Sequence, residues 1–169
     1  MRTLIILLLF LISISLHAAV TDMSLVNIDG EEEPLGNYIG NGQWVVANIW
    51  SPTCNACVVE LPQIKKFINR NPDIPMIGIT LDFPSFGYGK IDILRDFVKK
   101  TPLDYPLFLA DIDQASQLIG RWLVGIPSIA IFHPDGRPLV TWPGVVEIEE
   151  IEKYIKNYKE EADPLLEGF

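Results

Sequence analysis

Cysteine is scarce in this 169-residue chain: there are two, Cys54 and Cys57, three positions apart. That excludes the multi-bridge framework of a small disulfide scaffold, and a loop closed over two residues restrains an unfolded chain little. Histidine is just as thin, since beyond the N-terminal segment only His133 remains. Zinc and copper sites draw on several N and S ligands, so the composition points to no resident metal. Positive charge is in deficit as well: 13 Lys and Arg face 22 Asp and Glu, a net charge of −9. Nucleic acid and anionic membrane surfaces are poor partners for such a chain. No internal repeat is visible, and no apolar run reaches the ~20 residues that a membrane-spanning helix needs.

What is present reads as one ordinary globular domain, 49% hydrophobic and 21% charged. It is preceded by an export signal: Met1-Arg2-Thr3 gives a positive start, Leu4 to Leu16 is almost wholly apolar, and Leu16-His17-Ala18-Ala19 offers small residues for cleavage. The expected organisation is therefore a signal peptide over 1–19, a domain over 20–160 and a flexible tail over 161–169. Membrane contact is expected only if the N-terminal segment stays uncleaved.

The domain is organised around Trp44-Val-Val-Ala-Asn-Ile-Trp-Ser-Pro-Thr-Cys-Asn-Ala-Cys57. Trp44 to Trp50 predicts a buried strand, feeding into Cys54-Asn-Ala-Cys57 and then a helical pattern to about Asn69. With Cys54 at the N-cap, its sulfur faces unsatisfied N–H groups and the positive end of the helix dipole, which favour thiolate over thiol. Cys54 is then the attacking nucleophile, and Cys57, one turn on, the resolving thiol. A structural disulfide is the competing reading of the same pair.

Elsewhere, Met23 to Ile28 predicts a short strand, and Glu31 to Gly42 a loop or short edge element. Ile74 to Leu81 predicts a second buried strand, followed by an aromatic and Gly-rich loop over 82–89 that either covers the core or docks a partner. An amphipathic helix follows over Ile91–Lys100, then a strand over Tyr105–Leu109. A further helix is expected to be capped by Asp113 and to run to about Trp122. Ile129–Phe132 and Leu139–Trp142 form a hairpin, and Ile148, Ile151, Ile155 and Tyr158 mark a C-terminal helix. The order is α/β with a mixed sheet.

On these residues the chain resembles the thioredoxin-fold proteins of the exported TlpA-like class, which include cytochrome c maturation thioredoxins. Cys54 and Cys57 match the redox pair, Pro62 the proline that kinks the first helix, and Pro127, in Gly-Ile-Pro-Ser, the cis-proline facing the dithiol. The resemblance implies a central mixed sheet flanked by helices, with an N-terminal extension and a central insertion. It implies that Ile126 offers its backbone to a bound client strand, with Trp50 at the client-facing rim. Asn48 stands where cytosolic thioredoxins keep an aspartate. Glu60 stands where several maturation thioredoxins carry a glutamate, there to accept or return the proton of Cys57, although a solvated helix glutamate fits the residues alone as well. Two positions depart from the family: Thr53 replaces the usual Trp and Ala56 the usual Pro. The extra N–H of Ala56 is expected to aim at the Cys54 sulfur and lower its pKa.

The activity implied is exchange of the Cys54–Cys57 disulfide with client proteins that carry cysteines or disulfides, in the periplasm and without a cofactor. Reduction is the first expectation, with a membrane thiol electron carrier as partner. Oxidation or isomerisation of exported proteins is the second. A Cu(I) metallochaperone using the two thiolates is the non-enzymatic alternative, and Ser51, three before Cys54, faintly echoes a peroxidase motif.

Overall fold

A computed structural model describes residues 20–162. The expected signal segment lies outside the described residues, as do residues 163–169 of the expected tail, whereas residues 161 and 162 continue the last helix. Among the described residues no helix is long and apolar enough to cross a membrane.

Seven strands form one sheet: β1 (Ser24–Asn27), β2 (Glu32–Pro34), β3 (Val45–Trp50), β4 (Met76–Thr80), β5 (Leu107–Leu109), β6 (Ser128–Phe132) and β7 (Pro138–Pro143). Among the described residues four α-helices accompany them: α1 (Asn55–Arg70), α2 (Ile91–Lys100), α3 (Ile112–Leu118) and, after the last strand, α4 (Ile148–Ala162). The strand order is β2-β1-β5-β4-β3-β6-β7. β3, β4 and β5 run parallel, while every other neighbouring pair is antiparallel. β3 and β4 are buried at every residue because the sheet is covered on both faces, which explains their largely apolar runs, interrupted by Asn48 and closed by Thr80.

The two-residue period of β3 sorts its side chains. Val45, Ala47 and Ile49 pack with Ala115, Leu118, Ile119 and Leu123, on the face that α3 covers. Val46 packs with Ile64 and Phe67 of α1 and Ile148, Ile151 and Ile155 of α4 on the other face. Trp50 lies on that second face too, with Cys54, Cys57 and Leu61 of α1 and Leu94 of α2. Salt bridges from Arg70 to Glu149 and Glu152 tie α1 to α4 at the surface.

The acidic stretch after Gly30 forms the short edge strand β2 and a single 3-10 turn that buries Leu35. In the loop over 82–89 two aromatics cover the core, Phe83 beside Trp50 and the cysteines and Phe86 on the opposite cluster, while Tyr88 is exposed. Helix α1 continues unbroken through Pro62.

The third helix departs from expectation. Its cap is Asp111, not Asp113, and it ends at Leu118 rather than near Trp122. Asp111 accepts from the Gln114 backbone while the Gln114 side chain accepts from Asp111 N, a reciprocal capping box that Asp113 has no partner to make. The early stop follows from Gly120, whose φ of +66° belongs to the left-handed region that ends helices. Asp111→Ala should cost about 1 kcal/mol of stability, read as a lower urea midpoint, with Asp111→Asn restoring most of it; an unchanged midpoint would show that the box contributes nothing.

Candidate active site

β3 ends at Trp50, and Ser51-Pro52-Thr53 carries the chain to Cys54, the N-cap of α1. Cys54 and Cys57 are joined as a disulfide with their Cα atoms 5.3 Å apart. The Cys57 N–H donates to Sγ of Cys54 at 3.2 Å. The hydrogen bond that reaches this sulfur thus comes from Cys57, not from Ala56 as expected, because the N-cap side chain folds back to the third residue of the helix. Thr53, in place of the usual Trp, donates its hydroxyl to the Phe83 carbonyl at 3.0 Å and lies 3.0 Å from Ser51 Oγ. It pins the loop over 82–89 against the dithiol.

The Ile126–Pro127 bond is cis. Ile126 packs against the cluster that holds both cysteines, so the fold brings it to the disulfide from some 70 residues along the chain. Ser128 Oγ donates to the Gly125 carbonyl at 2.7 Å, and Gly144 N donates to the Pro127 carbonyl at 2.8 Å. Trp50 is placed differently from expectation. It is fully buried against Phe97, ring centroids 5.4 Å apart, and supports the dithiol from behind instead of facing a client. The exposed tryptophan is Trp122, which with Val124 leads into the cis-proline loop.

Glu60 is 1% exposed. It stands one turn after Cys57 on α1, and positions three apart share a helix face. Its Oε1 accepts from Val146 N at 2.9 Å, while Oε2 has no hydrogen-bond partner among the described residues. Burial pushes the Glu60 carboxyl above its usual range, and the Val146 N–H offsets part of that rise. The Tyr105 hydroxyl is pushed up to about 12, first by burial and further by the charge of Glu60, while its bond from Asn48 pulls the other way. Asn48 Nδ2 donates to Tyr105 Oη at 3.5 Å. Asn48 Oδ1, Trp50 Nε1 and Thr80 Oγ1 are buried with no hydrogen-bond partner among the described residues. By register, Asn48 and Trp50 of β3 stand beside Gly78 and Thr80 of β4 on the face that α1 covers. A buried polar floor therefore lies under the CxxC helix.

Gly78 makes room for that floor. A Cβ there would meet Leu107 Cδ2 at 2.6 Å and Tyr105 Cε2 at 2.8 Å. Gly78→Ala should destabilise by about 1–3 kcal/mol and displace Tyr105, read in the urea midpoint together with the alkaline Tyr absorbance titration. A variant as stable as the parent would show that the floor accommodates the methyl group.

Val146 carries no signal in the sequence, and Tyr105 and Trp122 read there only as the start of a strand and the end of a helix. His133 lies apart, in the β6–β7 turn, with its Nδ1 2.9 Å from Asp135 Oδ1 and its ring against Trp44 and Tyr158.

A mixed sheet, a helix opened by CxxC and a cis-proline loop against it define the thioredoxin fold, and this chain has it. The same fold is found in a DsbF homologue from Corynebacterium diphtheriae (TM-score 0.67, 22% identity, 83% of this chain and 86% of that one). It recurs in a putative thiol:disulfide interchange protein DsbE from Chlorobium tepidum (0.66, 18%, 82% and 94%). The exposed lipoprotein thioredoxin of Streptococcus pneumoniae is similar to the same extent (0.63, 23%, 80% and 98%). No protein-family model and no curated protein matches the sequence.

Proposed function

We propose that this chain is an exported thiol-disulfide oxidoreductase that reduces disulfides of client proteins. The observation that carries this reading is the Cys54–Cys57 pair at the N-cap of α1, with Ile126 beside it and the buried Glu60 one turn below. In the reduced state the helix N-terminus and the Cys57 N–H favour the Cys54 thiolate. That thiolate attacks one sulfur of a client disulfide; the bond between the two client sulfurs breaks, one client thiolate leaves, and a mixed disulfide remains. Glu60 takes the proton of Cys57, and the Cys57 thiolate attacks Cys54 Sγ. The second client thiolate departs, and two electrons have passed from the chain to the client; the Cys57 proton is left on Glu60, and the client thiolates take their protons from solvent. A thiol electron carrier at the membrane restores the dithiol. Ile126 lends its backbone to the client strand, and Trp122, Val124 and Val145 offer exposed apolar contacts. Export is supported by the N-terminal apolar segment and by the exposed, lipoprotein character named for one relative in fold.

The test is the reduction potential of the pair, equilibrated against glutathione and dithiothreitol and followed by Trp fluorescence, together with catalysis of insulin reduction. A potential near roughly −270 mV with turnover fits a reductant. A value near about −120 mV would make the chain an oxidant of exported proteins. A pair that does not cycle but binds Cu(I) tightly would point to the metal carrier.

A further inference from the structure

The segment Gly144-Val145-Val146, between β7 and α4, makes two backbone hydrogen bonds to groups far away in sequence. Gly144 N donates to the Pro127 carbonyl at 2.8 Å. Val146 N donates to Glu60 Oε1 at 2.9 Å. Gly144 has a φ of +89°, a left-handed conformation that turns the chain between these two contacts. Val145, between them, is exposed and Val146 is buried. Three residues thus span the distance from the buried acid to the cis-proline loop, with one bond at either end.

The two ends differ in kind. The Pro127 contact joins neutral groups, whereas the Glu60 contact is charge-assisted when the carboxyl is ionised and roughly half as strong when it is protonated. The groups facing Glu60 are few. From its own helix there is Cys57, from the segment before β5 the Tyr105 hydroxyl, itself bonded to Asn48 of β3, and from the strap only the Val146 N–H. Glu60 forms no ion pair among the described residues, and Glu147 beside the strap is exposed. The strength of the Val146 bond therefore follows the proton on Glu60.

We propose that Gly144–Val146 is a positioning strap that links the ionisation of Glu60 to the docking edge at Ile126–Pro127, so that a proton arriving on Glu60 loosens the client. This rests on the oxidoreductase reading above. While Glu60 is charged, the strap is drawn against α1, Gly144 holds Pro127, and the edge is preorganised for a client strand. When Cys57 gives its proton to Glu60 to close the disulfide, the Val146 bond weakens and the edge relaxes as the reduced client is ready to leave. By reciprocity, client binding favours the charged form of Glu60.

The experiment begins with amide spectra of the 15N-labelled, oxidised full chain between pH 4 and 9. The Val146, Gly144 and Ile126 amides are expected to shift with one shared midpoint, which disappears in Glu60→Gln. A Val146 shift without Gly144 and Ile126 would overturn the proposal, because the strap would then transmit nothing. The second arm uses insulin as client and dithiothreitol as reductant. KM is expected to rise about fivefold or more as pH falls through the same midpoint. In Val146→Pro, which removes the N–H, KM should no longer follow that midpoint while kcat still titrates with Glu60. A KM profile unchanged in Val146→Pro would also overturn it. If Val146→Pro does not fold, the amide titration decides alone. If no variant turns over insulin at any pH, the oxidoreductase reading fails, and the shared or separate amide midpoints still decide the strap.

Discussion

Cys54→Ser should reduce insulin turnover to the uncatalysed background, a loss of about a thousandfold or more, because the attacking sulfur at the helix N-cap is gone and the one thiol left, Cys57, is buried. Cys57→Ser should behave differently. Its Cys54 still attacks, but nothing displaces the client, so a mixed disulfide accumulates as a higher-mass band on a non-reducing gel. The asymmetry follows from position along the helix, since both are buried, at 3% and 1% exposure: Cys54 caps the helix and accepts the Cys57 N–H, whereas Cys57 lies in the first turn. If Cys54→Ser traps the client and Cys57→Ser does not, the two roles are reversed. If both variants keep full activity, the pair is structural.

Glu60→Gln should give a chain that is more stable at neutral pH and slower in exchange. Burial raises the Glu60 carboxyl above its ordinary value of 4.5, so the folded state holds that proton more tightly than the unfolded chain does. Stability from this group is complete below the unfolded value and is lost as pH climbs from there through the folded value. Glutamine keeps the acceptor for Val146 N–H and removes the buried charge. Its advantage should be near zero at pH 4 and largest at pH 8, measured by urea unfolding at both. An advantage of equal size at both pH values would show that the charge is not the cause. In the same variant the mixed disulfide should resolve about a hundredfold more slowly, since the proton of Cys57 has lost its acceptor. Unchanged resolution would assign that proton to solvent.

The redox pair was legible because three local signals coincide: an apolar strand, a cysteine at the N-cap and a helical stripe behind it. The strands β3, β4 and β6 were legible as apolar runs for the same local reason. What escaped is non-local or one-sided. The bond between Glu60 and Val146 joins residues 86 apart, and nothing near either announces the other. Asn48 was visible as a polar residue in an apolar run, but its partner Tyr105 stands 57 residues on. Trp50 was expected at the rim because a strand's last residue reads alike whether it turns toward solvent or under the next helix; α2 and Phe97 close over it. Asp111 and Asp113 are both acceptable caps by type, and only the reciprocal reach of Gln114 selects the first.

The sheet's two outermost strands bear on how such a chain survives among its clients. β2 presents Glu32, Glu33 and Pro34, and β7 begins at Pro138 and ends at Pro143. Short length, like charge and missing N–H donors are the features that keep an open edge from templating aggregation. A protein whose proposed clients dock as extended strands meets such segments continually. Here both flanks of the sheet refuse them, and a stray strand finds no ladder along which to seed a co-aggregate.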